Sequence, residues 1–216
     1  MTRLISVIGS PGVGKSTLSR ALVERYATDG FVVDHFAEEQ ILTRPAFADV
    51  AAEFDGGAGS VRPETLVEAT RGYLRQAERD GVDLLITDAL LPFIPSLWAW
   101  GHDEDEITEI VLELARAAQP TEVIIIVLID DPLTTLLRAA ERESPEWLAW
   151  YIGKLHAAPG TTHVVDLETA AEHLRQEVEL TRRVLRRSGW PVIELDAADR
   201  SPADLASIAH ARLAET

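Results

Sequence analysis

The chain has 216 residues, of which 36 are Asp or Glu and 20 are Lys or Arg, so its formal net charge is −16. Such an acidic protein is a poor candidate for binding nucleic acid through a broad basic surface, and its length fits a single α/β domain spanning 1–216. The chain contains no cysteine, which excludes disulfide bonds and thiolate metal sites.

The first predicted elements are a strand, a glycine-rich loop and a helix, in that order. Residues 3–8 form a short apolar run that predicts a buried strand, and residues 15–28 carry apolar side chains at helical spacing. The segment "GSPGVGKST" follows the strand and includes the start of the helix. It has the spacing of a phosphate-binding loop. Glycine backbones can approach phosphate oxygens closely, and the N–H groups at a helix start attract anions.

This loop predicts a site for the phosphates of ATP together with Mg²⁺. Lys15 can reach the β- and γ-phosphates, and the hydroxyl of Ser16 can bind the metal ion. The predicted nucleotide-binding residues here are Gly9, Ser10, Pro11, Gly12, Val13, Gly14, Lys15, Ser16 and Thr17. The chain has no asparagine, so the Asn-Lys-x-Asp motif that a GTPase would be expected to carry is missing.

Four more strands are predicted downstream, with helical patterns between them. The strands lie at 31–36, 83–88, 122–130 and 191–196, and the second and third of these are continuous apolar runs. Such runs are typical of parallel strands buried on both faces. The alternation therefore predicts an α/β fold of three layers, with helices on both sides of the sheet. Segment 37–81 is longer than a crossover needs, and we expect it to form an acceptor-binding insertion.

Carboxylates at the strand ends are candidates for binding Mg²⁺. Asp88 ends the strand at 83–88 and is the predicted metal partner alongside Ser16. Asp130 ends an equally apolar strand and stays open as an alternative. Asp131 is followed by Pro132, a pattern that predicts a helix N-cap.

A further carboxylate bears on the chemistry of the acceptor. Asp34, placed by the pattern at the tip of the second strand, is predicted to take the proton of a hydroxyl acceptor as a general base. Glu38 and Glu39 are nearby alternatives. Three arginines of the insertion form a competing set that could hold a phosphorylated acceptor: Arg44, Arg62 and Arg71.

Two arginines share a helix face after the fourth strand. Arg138 and Arg142 are four residues apart and could stabilise the charge that develops on a transferred phosphoryl group. Glu141 and Glu143 could instead hold them in surface ion pairs.

Two other patterns predict structure. Trp147 and Tyr151 lie one helical turn apart, which is typical of core packing. The acidic run at 102–106 predicts a helix N-terminus.

The chain resembles the P-loop nucleoside and nucleotide kinase group, which includes thymidylate kinase, shikimate kinase and chloramphenicol phosphotransferase. The resemblance covers most of the length and rests on "GSPGVGKST", the strand containing Asp34, "LLITD", "LLRAAERE" and "WPVIELDAADRSPADL". It implies a five-stranded parallel sheet in the order 2-3-1-4-5 and a lid-like region at 132–160. It also implies an adenine-contacting loop after the last strand, which would include Ala197 and Ala198.

The expected function is the ATP- and Mg²⁺-dependent transfer of a phosphoryl group to a small-molecule acceptor. Asp34 favours an acceptor hydroxyl on a metabolite, nucleoside or antibiotic. A nucleoside monophosphate kinase and a non-catalytic nucleotide-binding regulator stay open as alternatives. Dimers are common in such kinases, so a homodimer also stays open.

We expect a cytoplasmic protein with no membrane partner. The longest apolar run, 123–129, is too short to span a bilayer. The first strand begins so close to Met1 that no signal peptide is expected.

Overall fold

The computed structural model describes residues 2–54, 59–88 and 91–216, and it confirms the predicted α/β class. Five parallel strands form one sheet in the order β2-β3-β1-β4-β5, as the resemblance implied. The strands are β1 (Arg3–Ile8), β2 (Val33–Phe36), β3 (Leu84–Thr87), β4 (Glu122–Ile129) and β5 (Val192–Asp196).

Helices connect the strands and cover both faces of the sheet. In chain order they are α1 (Lys15–Thr28), α2 (Ala48–Glu53), α3 (Pro63–Arg79), α4 (Ile94–Ala99), α5 (Glu104–Ala118), α6 (Pro132–Arg142), α7 (Pro145–Ala157), α8 (Leu167–Ser188) and α9 (Pro202–Leu213). Two short 3₁₀ turns, Glu38–Gln40 and Pro45–Phe47, follow β2. Within the described residues, no helix combines the length and apolarity that crossing a membrane requires.

The core lies on the two faces of the sheet. Alternate side chains of a strand point to opposite faces, so Leu4 packs in the cluster that includes α3, α5 and α8, whereas Ile5 packs with α1 and α9. A smaller apolar cluster joins α6, α7 and α8, and Trp147 and Tyr151 pack against it. The prediction that these two aromatic residues are packed is confirmed.

Two strands differ from the sequence-based expectation because they lie at the edges of the sheet. β5 alternates between buried and exposed residues, since an edge strand has less cover than the central strands. β2 begins at Val33, and Phe31 and Val32 are exposed. The placement of Asp34 at the strand tip is wrong, because β2 continues to Phe36, which pairs with Thr87.

Helix caps were predicted well from local sequence. Asp131 accepts a hydrogen bond from the Thr134 N–H, with Pro132 in the first turn of α6, so the capping interpretation is confirmed. The acidic run at 102–106 begins α5, where Asp103 and Glu106 form a capping box. These caps fix the starts of α5 and α6, and α6 directly follows the carboxyl end of β4.

Candidate functional site

The loop between β1 and α1 has the backbone shape that the glycine spacing predicts. Gly9 and Gly12 have φ angles of 145° and 79°, in the region that favours glycine. A Cβ added to Gly9 would lie 2.6 Å from the carbonyl oxygen of Leu128, and one added to Gly12 would lie 2.1 Å from that of Thr135. Side chains are therefore excluded at both positions, and the loop is packed between β4 and α6.

The loop ends at the N-terminus of α1, where free backbone N–H groups are expected. Gly14 is the N-cap residue, with a left-handed backbone, and Ser16 and Thr17 in the first turn are exposed. No acidic residue occupies this turn, so its positive dipole end is not offset locally. This arrangement can bind an anionic group such as a phosphate.

The ammonium group of Lys15 is influenced by several charged side chains. Its Nζ donates a hydrogen bond to the Ser10 carbonyl oxygen at 3.3 Å. Burial lowers the pKa of the Lys15 ammonium, and Arg142 contributes in the same direction. Three carboxylates from separate elements act against that decrease: Glu38, Asp88 and Glu177.

Asp88 follows β3 directly and is almost fully buried, with 2% exposure. Its Oδ1 accepts a hydrogen bond from the Glu38 N–H at 3.0 Å. Within the described residues, its Oδ2 has no hydrogen-bond partner. A buried oxygen without a partner, next to the strand that leads into the phosphate loop, fits a role in holding Mg²⁺ together with the Ser16 hydroxyl.

Asp130, the competing candidate, already has partners for both oxygens. Its Oδ1 accepts a hydrogen bond from the Asp131 N–H at 2.7 Å, and its Oδ2 pairs with Arg138 at 3.2 Å. Asp88 is therefore better placed to bind a metal ion or its water ligands.

The two arginines of α6 lie next to the phosphate loop but are held differently. Arg138 also approaches the Gly12 carbonyl oxygen at 3.4 Å, so its guanidinium group lies against the loop. Arg142 pairs with Glu143 at 2.8 Å, as the surface-ion-pair alternative proposed. Its positive charge nevertheless contributes to the lowered pKa of Lys15.

Asp34 is the second residue of β2, not its carboxyl end, and its carboxylate contacts residues of the insertion. It pairs in register with Leu85, which in turn pairs with Leu4, five residues before Gly9. Arg44 binds both of its carboxylate oxygens, at 2.6 and 2.8 Å, and Tyr73 donates a further hydrogen bond at 2.8 Å.

The same contacts decide the charge of Asp34. Burial raises the pKa of Asp34, but the hydrogen bonds from Arg44 and Tyr73 outweigh burial and leave the pKa below its usual value. Asp34 therefore stays ionised as the counter-ion of Arg44, which also lies 4.6 Å from the centre of the Phe36 ring. These contacts describe a structural ion pair.

The other predicted acceptor-binding arginines also have partners inside the insertion. Arg62 binds Glu53, and Arg71 binds Glu68. No arginine of this set is therefore left without an ion pair, although exposed pairs of this kind exchange easily with an incoming anion.

The loop after β5 reaches the same edge of the sheet. The Ala197 N–H donates a hydrogen bond to the Ile129 carbonyl oxygen at 2.7 Å, which places this loop beside the end of β4. Asp196 accepts a hydrogen bond from the Ala198 N–H at 3.0 Å. Because β4 is the neighbour of β1, the loop lies one strand away from the start of the phosphate loop.

No protein-family model matches this chain, and a search of curated proteins finds no similar sequence.

Sequence reasoning missed Glu177, a carboxylate on α8 whose side chain is only 13% exposed. Burial raises the pKa of Glu177 to about 7, against the opposing effect of Lys15. One signal was available: Glu177 falls on the apolar stripe of α8, three residues after Leu174 and four before Thr181. A glutamate at such a position becomes buried on folding. Burying a carboxylate lowers stability unless its charge has a partner, so such a residue is a candidate for a functional role.

Glu177 acts on one residue of its own helix and on one residue of α7. His173 Nε2 lies 3.8 Å from Glu177 Oε2, and burial lowers the pKa of His173 to about 4, so the imidazole is neutral near pH 7. Tyr151 stacks on Trp147 with ring centres 5.2 Å apart. Burial raises the pKa of Tyr151, and the charges of Glu177 and Glu38 add to the increase, so its hydroxyl stays protonated.

Proposed function

We propose that the protein is an ATP-dependent phosphotransferase that moves the γ-phosphoryl group of ATP to a hydroxyl group of a small molecule. The observation that carries the proposal is the phosphate loop, with its two obligatory glycines and Lys15 at the start of α1. A nucleoside triphosphate is the ligand whose charge and size fit such a loop. This function implies a compartment with ATP, in keeping with a cytoplasmic protein.

Each part of the site then has a role in phosphoryl transfer. The backbone N–H groups of the loop and Lys15 bind the phosphates, while Ser16 and Asp88 hold Mg²⁺, which neutralises phosphate charge when bound. Arg138 and Arg142 stabilise the negative charge that develops on the transferred group. The loop after β5, with Ala197 and Ala198, contacts the adenine.

The acceptor loses a proton as its oxygen forms the new bond to phosphorus. The bond between the γ-phosphorus and its bridging oxygen breaks, and ADP leaves with that electron pair. Asp34 was the predicted proton acceptor, but both of its oxygens are bound by Arg44. Glu38 is exposed, and its charge acts on Lys15, so it is the better candidate for the general base.

The nucleoside monophosphate kinase alternative is less well supported. Of its three candidate arginines, Arg44 is enclosed by Asp34, Tyr73 and Phe36. Arg62 and Arg71 would first have to leave their ion pairs with Glu53 and Glu68. A hydroxyl acceptor needs only a nearby carboxylate, and the site offers one in Glu38.

The test is to measure Mg–ATP binding by calorimetry and ADP release with a panel of nucleosides, nucleotides, sugars and aminocyclitols. Lys15→Ala should fold normally and lose most phosphoryl transfer, because only the charge on the phosphates is removed. Lys154→Ala is a matched control, since Lys154 is the only other lysine of the chain and lies over the Trp150 ring. Near wild-type turnover in Lys15→Ala would refute the proposal, and slow hydrolysis that no acceptor accelerates would indicate a nucleotide-binding regulator.

A further inference from the structure

The guanidinium group of Arg138 is held through one nitrogen only. Its Nη1 donates a hydrogen bond to Asp130 Oδ2 at 3.2 Å and approaches the Gly12 carbonyl oxygen at 3.4 Å. Among the described residues, its Nε and Nη2 have no hydrogen-bond partner. A guanidinium group carries N–H donors on each of its nitrogens, so the Nε–Nη2 edge of Arg138 can bind two oxygens of a ligand.

Arg142, on the same helix face, is held in the opposite way. Its Nε and Nη2 both bind Glu143, at 2.9 and 2.8 Å. To bind a phosphate through this edge, Arg142 has to leave Glu143, whereas Arg138 can use its edge as it stands.

Asp130 provides a fixed anchor for the exposed side chain of Arg138. It directly follows β4, and its side chain is 5% exposed, whereas that of Arg138 is 50% exposed. Its second oxygen, Oδ1, accepts a hydrogen bond from the Asp131 N–H at 2.7 Å, so the carboxylate is held at both oxygens. An ion pair between two exposed side chains constrains neither of them, but a nearly buried carboxylate fixes the position of its partner.

The helix that carries Arg138 is positioned without this ion pair. A Cβ added to Gly12 would lie 2.1 Å from the Thr135 carbonyl oxygen and 3.2 Å from the Ala139 Cβ, so α6 packs directly on the phosphate loop. Thr135 and Ala139 lie within one helical turn of Arg138. Loss of the Asp130 charge should therefore change the direction of the Arg138 side chain and leave α6 in place.

Building on the proposed phosphotransferase activity, we propose that Asp130 is the residue that positions Arg138 for phosphoryl transfer. Asp130 holds Nη1 beside the Gly12 carbonyl oxygen, and the Nε–Nη2 edge then binds two oxygens of the transferred group. The planar fork of a guanidinium matches such a pair of oxygens. Because the side chain is ordered before the reaction, less conformational entropy is lost when the contact forms. Asp130 itself touches neither the nucleotide nor the acceptor.

The carboxylates after the two strands that flank β1 then have separate roles. Asp88 follows β3 and keeps an oxygen for Mg²⁺, whereas Asp130 follows β4 and uses both oxygens on groups of the protein. Removing the Asp130 charge should therefore weaken the contact with the transferred group and spare the binding of nucleotide and metal.

The experiment compares the binding of Mg–ADP with and without aluminium fluoride, which stands in for the transferred phosphoryl group and needs no acceptor. Calorimetry gives the two Kd values, and their ratio measures the contact with that group. Aluminium fluoride should tighten binding in the wild type. Arg138→Gln and Asp130→Asn should each reduce this tightening by about tenfold, because a charge-assisted contact is lost, and leave the Kd of Mg–ADP alone nearly unchanged.

A double-mutant cycle separates positioning from a structural role. Asp130→Asn should reduce the tightening no further in an Arg138→Gln background, since Asp130 acts through Arg138. A residue needed only for folding would have its effect in both backgrounds and would also weaken the binding of Mg–ADP alone. Arg138→Lys keeps a cation for Asp130 but lacks the fork, so it should fold like the wild type and bind like Arg138→Gln.

Asp131→Asn is the matched control. Asp131 is the next residue, carries the same charge and pairs with Arg175 at 3.3 Å, and an asparagine can keep the N-cap of α6. Aluminium fluoride should tighten binding in this variant as in the wild type. That result would show that removing a negative charge near the loop is not enough to produce the effect of Asp130→Asn.

Four results would overturn the positioning role: no tightening in the wild type, full tightening in Asp130→Asn, an effect of Asp130→Asn that persists without Arg138, or a raised Mg²⁺ requirement for ADP binding in Asp130→Asn. Failure of the proposed function has a different signature. In that case Mg–ADP does not bind, or it binds equally well to Lys15→Ala. If Mg–ADP binds through Lys15 and the tightening depends on Arg138 but not on Asp130, the positioning role alone is refuted.

Discussion

Glu177 of α8 and Lys15 of the phosphate loop act on each other electrostatically although they lie far apart in the sequence. Lys15 moderates the increase that burial causes in the pKa of Glu177, and Glu177 moderates the decrease that burial causes in the pKa of Lys15. In the nucleotide-free protein, the negative charge of Glu177 therefore favours the charged form of Lys15, and the positive charge of Lys15 favours the ionised form of Glu177.

The first prediction concerns the stability that Glu177 costs. Its pKa rises from an ordinary value of 4.5 to about 7 on folding, so the folded protein keeps a proton that the unfolded chain loses in this window. The free energy of unfolding therefore falls as the pH rises from 4.5 to 7. Glu177→Gln removes this effect and should be more stable than the wild type at pH 8, by about 1–3 kcal/mol.

Chemical denaturation of both proteins at pH 4.5 and pH 8 checks this. The two proteins should have similar free energies of unfolding at pH 4.5, and the variant should have the larger one at pH 8. His173 titrates in the opposite sense, because its lowered pKa makes stability fall as the pH drops from 6.5 towards 4, but it is present in both proteins. A variant that is less stable than the wild type at pH 8 would show that Glu177 is a structural residue.

The second prediction distinguishes the two candidate metal partners. Asp88→Asn keeps an oxygen for the Glu38 N–H but loses the charge of the partnerless oxygen, so the Mg²⁺ concentration for half-maximal activity should rise about 10- to 100-fold. Asp130→Asn should leave the Mg²⁺ dependence unchanged and loosen Arg138. Titration of activity with Mg²⁺ checks both variants, and the reverse outcome would assign the metal to Asp130.

The third prediction concerns the arginines of α6. Arg138→Gln and Arg142→Gln should each lower turnover by about a hundredfold while the Kd for ATP changes little, because their contact is made mainly in the transition state. Steady-state kinetics and calorimetry measure the two quantities. Arg183→Gln, in an exposed ion pair with Glu104, is the control. Small and equal effects on turnover and on Kd would return both arginines to the role of surface ion pairs.

Local sequence was enough to predict the elements that carry the phosphate loop. The bounds of β1, α1 and the loop between them agree with the pattern because glycine spacing, buried strand and helix start are all local features. The cap at Asp131 was predicted for the same reason. Features set by strand pairing or by packing between distant helices were not predictable in this way. The start of β2 at Val33 depends on its pairing with β3, and the burial of Glu177 depends on how α8 packs against α6 and α7.

The last prediction decides which carboxylate accepts the proton of the acceptor hydroxyl. Asp34 was the residue expected from sequence, and Glu38 and Glu39 were its alternatives. Glu38→Gln keeps the size of the side chain and removes the base, so turnover should fall about a hundred- to ten-thousand-fold while ATP still binds. Asp34→Asn should instead lower stability by about 1–3 kcal/mol, since Arg44 loses its counter-ion, with a much smaller effect on turnover of the folded enzyme.

Turnover and urea denaturation of the two variants, measured side by side, give the answer. A third variant, Arg44→Gln, controls for the ion pair: if Asp34 is only the counter-ion of Arg44, its loss should lower stability in the same way as Asp34→Asn. A fall of a hundredfold or more in Asp34→Asn, with Glu38→Gln fully active, would restore Asp34 as the base. It would also mean that Arg44 releases the carboxylate when the acceptor binds, because a carboxylate bound at both oxygens by a guanidinium cannot take a proton from a hydroxyl.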